Sequence, residues 1–162
     1  MKRGASVAVL FAVLAFIFTP DAFAQTTNPK WQVTNFGAPF PTPTGKDRDT
    51  ASVAADGQGL IFVLRRAEPP VLVYNREGKL VDSWGKGLFV DTHNIDVDRF
   101  GFVWIGDRNG QMVYKFTKDG KQLMTIGTKG VKGDDTSEYA FNRASDVFVA
   151  PNGDIYTLPT VT

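Results

Sequence analysis

The chain has 162 residues, no cysteine, and 18 basic against 17 acidic side chains. So even a balance gives no electrostatic footprint for nucleic acid or an anionic lipid surface. The lack of cysteine excludes a disulfide framework, a thiolate nucleophile and thiolate metal ligands, so stability has to come from burial of apolar surface.

In chain order the first element is an address. Lys2 and Arg3 precede an apolar run over 5–18, followed by Pro20 and the small-x-small triplet Ala22, Phe23, Ala24. This predicts a secretory signal peptide over 1–24, cut before Gln25, and a secreted or periplasmic location. The apolar run is shorter than the ~20 residues that a bilayer core requires, so no stable membrane insertion is expected after cleavage. Cleavage removes Lys2, Arg3 and Asp21 and leaves 16 basic against 16 acidic side chains. A segment over 25–50, rich in proline and glycine (Pro39, Pro41, Pro43, Gly45), reads as a lead-in, part of it lying over the first strand unit.

From residue 51 onward short apolar stretches alternate with Asp, Asn and Gly turns, a strand-and-hairpin signal. Strands are predicted over 52–56, 60–65, 71–74 and 79–84, and the same order recurs over 93–98, 102–106, 112–116 and 121–126. The two units keep one offset: Asp56 and Asp98, Gly59 and Gly101, Gly78 and Gly120, and Gly85 and Gly127 all stand 42 residues apart. A third copy starts near Ser145 and turns at Pro151, Asn152 and Gly153. Gly153 follows Gly101 by 52 residues, so ten have been inserted, fitting the polar loop GVKGDDTSEYA over 130–140. Insertions in repeat proteins map to loops on one face, often the binding face.

A four-strand unit repeating every 40–45 residues or so is the signature of a β-propeller blade. Such a sheet is apolar on both faces and hides them only by stacking against neighbours around an axis. A β-sandwich could use strands of this length, but three glycines and an aspartate in constant register argue for the propeller. The expected fold class is therefore all-β, a partial β-propeller over 51–162 with blade units at about 52–85, 93–127 and 145–162, roughly two and a half blades. An open ring would leave an apolar face and unpaired strand edges prone to aggregation.

The stretches LFVDTHNIDVD around His93, VWIGD over 103–107 and FNRASDVFVAPNGDIY over 141–156 resemble NHL-repeat proteins, and among them the peptidyl-α-hydroxyglycine α-amidating lyases and their bacterial relatives. The resemblance covers roughly 50–156 and implies a ring of six blades when complete. It implies a lyase that breaks a C–N bond to give an amide and glyoxylate, with zinc on the propeller axis and a structural calcium nearby. Matched residue by residue, His93 falls on the first zinc histidine. Arg66, in FVLRRAEPPVLVY, falls on a catalytic arginine, and Val53 and Ile95 on the calcium-binding main-chain carbonyls.

The departures matter as much. His93 is the only histidine, Gln111 stands where relatives often carry histidine, and the chain reads Thr157 to Thr162 where the family places its catalytic tyrosine loop. Zinc in a catalytic site takes three protein ligands, so one histidine does not complete it, and this chain alone is expected to be inactive.

Each assignment has a plainer rival. His93 could simply line the channel, and Arg66 could pair with Glu68 or Asp107. Asp134, Asp135 and Glu138 lack the ligand spacing of a calcium loop and read as a solvated insertion. Trp84 and Trp104 read as packing between blades. The alternative to a lyase acting on a peptide-like small substrate is a non-catalytic propeller that binds a protein, peptide or glycan.

Overall fold

The computed structural model describes residues 50–134 and 136–159. The predicted signal peptide lies outside these residues, as does the lead-in apart from Thr50. Ten strands and no helix occur among the described residues: β1 Thr50–Ala55, β2 Ile61–Arg65, β3 Val71–Tyr74, β4 Leu80–Trp84, β5 Thr92–Val97, β6 Val103–Asp107, β7 Met112–Phe116, β8 Gln122–Ile126, β9 Ala144–Val149 and β10 Ile155–Pro159. No helix among them is long and apolar enough to cross a membrane.

Three antiparallel sheets result. Strands β1–β4 form one four-stranded meander, β5–β8 a second, and β9–β10 a two-stranded hairpin. These are two blades and the opening hairpin of a third, in the positions that the repeat predicts. The middle strands of each blade are buried throughout or nearly so (Val71–Tyr74, Val103–Asp107), whereas the outer strands β4 and β8 are exposed along most of their length. That is why VLVY and VWIG are continuous apolar runs: both sheet faces are covered, and the usual polar alternation disappears.

The turns repeat as faithfully as the strands. The Asp56 carboxylate accepts the N–H groups of Gln58, Gly59 and Leu60 at 2.7, 2.8 and 2.9 Å, and Asp98 accepts those of Phe100 and Phe102 at 2.9 and 3.0 Å. A short carboxylate thus satisfies donors that the tight turn turns away from the ladder. The third copy has Ala150 at this place, and Asn152 takes over by accepting the Asp154 N–H at 3.1 Å.

Stacking supplies the core. Phe62, Leu64, Val71, Val73 and Trp84 of the first blade pack against Ile95, Val103, Ile105, Met112, Tyr114 and Phe116 of the second. Trp84 and Phe116 have ring centroids 5.1 Å apart. Trp104 and Val113 then pack on Ala144 and Val147 of the hairpin. Trp84 and Trp104 are therefore inter-blade packing residues, and each fully buried aliphatic or phenyl group there contributes about 1.5–3 kcal/mol.

Candidate functional site

Each inner strand carries the same irregularity. The register of β1 on β2 passes from Thr50 to Ser52, that of β5 on β6 from Thr92 to Asn94, and that of β9 on β10 from Ala144 to Asp146. The three residues passed over, Ala51, His93 and Ser145, are equivalent positions of the repeat. Bulges of this kind re-aim a side chain at the end of a strand. Here they bring Ala51, Ser52, His93, Asn94, Ser145 and Asp146 to one cleft among the inner strands.

His93 is half-buried, and its Nδ1 lies 2.7 Å from the Ser145 carbonyl oxygen. A carbonyl only accepts, so Nδ1 carries the proton, and in the neutral ring Nε2 keeps its lone pair. A backbone carbonyl on the far nitrogen is also how metal-binding histidines are commonly oriented. No group of three His, Cys, Asp or Glu side chains that could hold a metal occurs among the described residues. Those residues therefore do not by themselves assemble a zinc site, and no zinc-dependent step follows from them.

The preceding residues bind His93 into its surroundings. Thr92 is buried, and its hydroxyl donates to the Arg65 carbonyl of the first blade at 3.0 Å. The main-chain N–H groups of Val90 and Asp91 donate to the carboxylate of Asp107 at 2.9 and 2.7 Å, and Gly110 N–H adds a third bond at 3.1 Å. Asp107 is fully buried. Three backbone donors are what permits a carboxylate there without a cationic partner.

Arg66 pairs with neither Glu68 nor Asp107, the two partners that its plainer reading offered. Its Nε donates to Asp91 Oδ1 at 3.0 Å. Asp107 is occupied by main-chain N–H groups, and Glu68 accepts from Gly87 N–H at 3.1 Å. Sequence reasoning missed Asp91, and with it Arg108 and Asn109, which donate to Asp91 Oδ2 at 2.6–2.9 Å. The repeat makes Arg108 the counterpart of Arg66, 42 residues on, but it pairs neither arginine with Asp91. Arg65 turns the other way, donating to the carbonyls of Glu68 and Pro69 at 2.8 and 2.9 Å. Arg65, Arg66, Glu68, Phe89, Asp91 and Thr92 line a second cleft, which reaches the residue before His93.

Val53 and Ile95 are equivalent positions on β1 and β5, and Val147 is their counterpart on β9. Val147 N–H bonds the side chains of Asn94 and Asp146, away from β10. In an antiparallel strand a residue's N–H and C=O face the same side. The Val147 carbonyl therefore faces the free edge of its inner strand, and the repeat sets those of Val53 and Ile95 likewise.

The loop over 130–140 leaves the second blade on the side where the inner strands begin, and Gly130 N–H donates to the Gly110 carbonyl at 2.9 Å. Asp134 within it is exposed and binds Thr136 and Ser137, its own neighbours, which holds its carboxyl below the usual range. Gln111 and Arg143 both have left-handed backbone, with φ of 59° and 61°, and Gln111 Oε1 accepts the Arg143 N–H at 2.6 Å. Gln111 is thus engaged in joining the second blade to the third.

Comparison with known proteins bears on this geometry. No family model matches the chain. A probable peptidyl-α-hydroxyglycine α-amidating lyase of Caenorhabditis elegans is 34% identical over 87 residues, covering 53% of this chain and 24% of the relative. NHL repeat-containing protein 3 of Mus musculus is 31% identical over 118 residues, covering 66% of this chain and 33% of the relative. The chain thus spans a quarter to a third of the length of these curated relatives. Among solved structures, virginiamycin B lyase from Staphylococcus aureus superposes with a TM-score of 0.53 at 17% identity, over 70% of this chain and 36% of its own. The chain is related in sequence to NHL-repeat proteins and peptidyl-α-hydroxyglycine α-amidating lyases, and its fold is part of a β-propeller.

Proposed function

We propose that this chain is part of a secreted propeller lyase that cleaves the C–N bond of a peptidyl-α-hydroxyglycine, releasing an amide and glyoxylate. One observation carries the reading. His93 presents an imidazole whose Nδ1 is committed to the Ser145 carbonyl, leaving Nε2 as a nitrogen ligand, next to a cleft that holds Arg66. In the whole protein His93 is one ligand of a zinc ion, and the carbonyls of Val53 and Ile95 contribute to a calcium site. Arg66 supplies a planar, permanently charged fork suited to a carboxylate or to a developing oxyanion.

A second reading is a non-catalytic propeller that binds a protein, peptide or glycan. It is favoured by the longer match, 118 residues against 87, to a relative whose name records repeats and no activity. The test is glyoxylate release from an N-acylated α-hydroxyglycine by the whole protein, with metal analysis of the same preparation. Turnover with bound zinc and calcium supports the lyase. A metal-free protein without turnover removes it and leaves the binding propeller.

A further inference from the structure

We propose that Asp91 is the positioning residue for Arg66, a role that rests on the reading of Arg66 as a substrate-facing group. Asp91 stands between two arginines from different blades. Its Oδ1 accepts Arg66 Nε from the β2–β3 loop at 3.0 Å, and its Oδ2 accepts Nε and Nη2 of Arg108 at 2.9 and 2.6 Å. Arg66 is held by Nε only, and no bond to its Nη groups is found among the described residues. Its side chain is 33% exposed, against 12% for Asp91. The carboxylate thus anchors Nε of a guanidinium that belongs to the cleft lining and leaves its Nη donors, the pair that a carboxylate or oxyanion would take, without a bond among the described residues.

The anchor is itself rigid. The Asp91 N–H bonds the buried Asp107 carboxylate, and the Asp91 carbonyl accepts the Arg108 N–H at 3.0 Å, so main chain and side chain are fixed together. Arg108 offsets the charge that would otherwise make Asp91 a competitor for Arg66's own ligand. A positioning group needs this arrangement: a lone Asp–Arg pair at the mouth of a cleft neutralises the arginine, whereas a carboxylate shared between two arginines neutralises neither completely.

The test is a double-mutant cycle in the whole protein on Asp91→Asn and Arg66→Ala, read by turnover of an N-acylated α-hydroxyglycine and by the Nε–H signal of Arg66 in ¹⁵N NMR. Asp91→Asn is expected to lower kcat about 10- to 100-fold and to speed solvent exchange of the Arg66 Nε–H. In the Arg66→Ala background the same change should cost nothing further, because Asp91 acts through Arg66. Arg108→Gln keeps the Arg66–Asp91 bond and should preserve the Nε–H protection. Equal losses from Asp91→Asn with and without Arg66, or an Arg66 Nε–H that stays protected in Asp91→Asn, would overturn the proposal. If the wild-type protein shows no turnover, the lyase reading fails, and the NMR signal alone still decides whether Asp91 holds Arg66. A variant that does not fold is replaced by Asp91→Glu, whose longer arm keeps the charge and shifts the guanidinium, with the same two readouts.

Discussion

His93 and Ser145 occupy the same place in successive repeats, and the imidazole of one is bonded to the main-chain carbonyl of the other at 2.7 Å. The bond spans two blades, so the orientation of the imidazole depends on how the second and third inner strands stack. On the lyase reading, His93→Ala in the whole protein should remove most of the bound zinc and abolish turnover. The fold should survive, because one hydrogen bond at a half-buried position contributes about 1 kcal/mol. Metal analysis beside a thermal melt checks both halves, and full metal content in the variant would show that His93 only lines the channel.

Asp56 makes the stability of the blade pair depend on acid. Burial works to raise its pKa, but the Lys118 ammonium at 2.7 Å and the three turn N–H groups outweigh it and bring the carboxyl from 3.8 down to about 2. The folded value lies below the unfolded one, so the stabilisation is complete above pH 4 or so and is lost as pH falls toward 2. It amounts to about 2 kcal/mol. Urea titrations at pH 5, 3 and 2 should show this loss, and Lys118→Met should shrink it while raising the Asp56 pKa in an NMR titration.

Gly120 lies under the indole of Trp84. A Cβ there would come within 2.6 Å of the Trp84 ring, at a φ of +83°. Gly120→Ala should therefore destabilise by about 3 kcal/mol, combining left-handed strain with a displaced inter-blade tryptophan. Gly57, with φ +69° and nothing within 4 Å of its added Cβ, is the control. Gly57→Ala should cost only about 1 kcal/mol. Denaturant unfolding followed by tryptophan fluorescence measures both.

Asp107→Asn exchanges a carboxylate that accepts three main-chain N–H bonds for an amide with one acceptor oxygen and a donor facing donors. The loss should be about 2–3 kcal/mol. Amide hydrogen exchange should localise it, with Val90, Asp91 and Gly110 losing protection before the rest of the second blade. Uniform loss across the blade would mean that Asp107 acts on the fold as a whole rather than on the 90–91 segment.

The strands and their sheets were legible in the residues because they follow from local causes. The Asp and Gly turns recur at a 42-residue offset, and the both-faces-covered strands show as uninterrupted apolar runs such as VLVY and VWI. His93 and Arg66 stand out in the residues through their surrounding motifs, and each lines a cleft. Tertiary structure alone decided what these side chains bond. Asp91 holds Arg66 across 25 residues, and Ser145 orients His93 across 52. The first separation matches no spacing of the repeat, and the second is the repeat's own 52-residue offset, which makes the two positions equivalent without bringing their atoms together. A repeat fixes which residues are equivalent, because equivalence is a matter of local conformation. Which side chains meet is set by the stacking and the bulges of the inner strands, and these join parts of the chain that no local pattern connects.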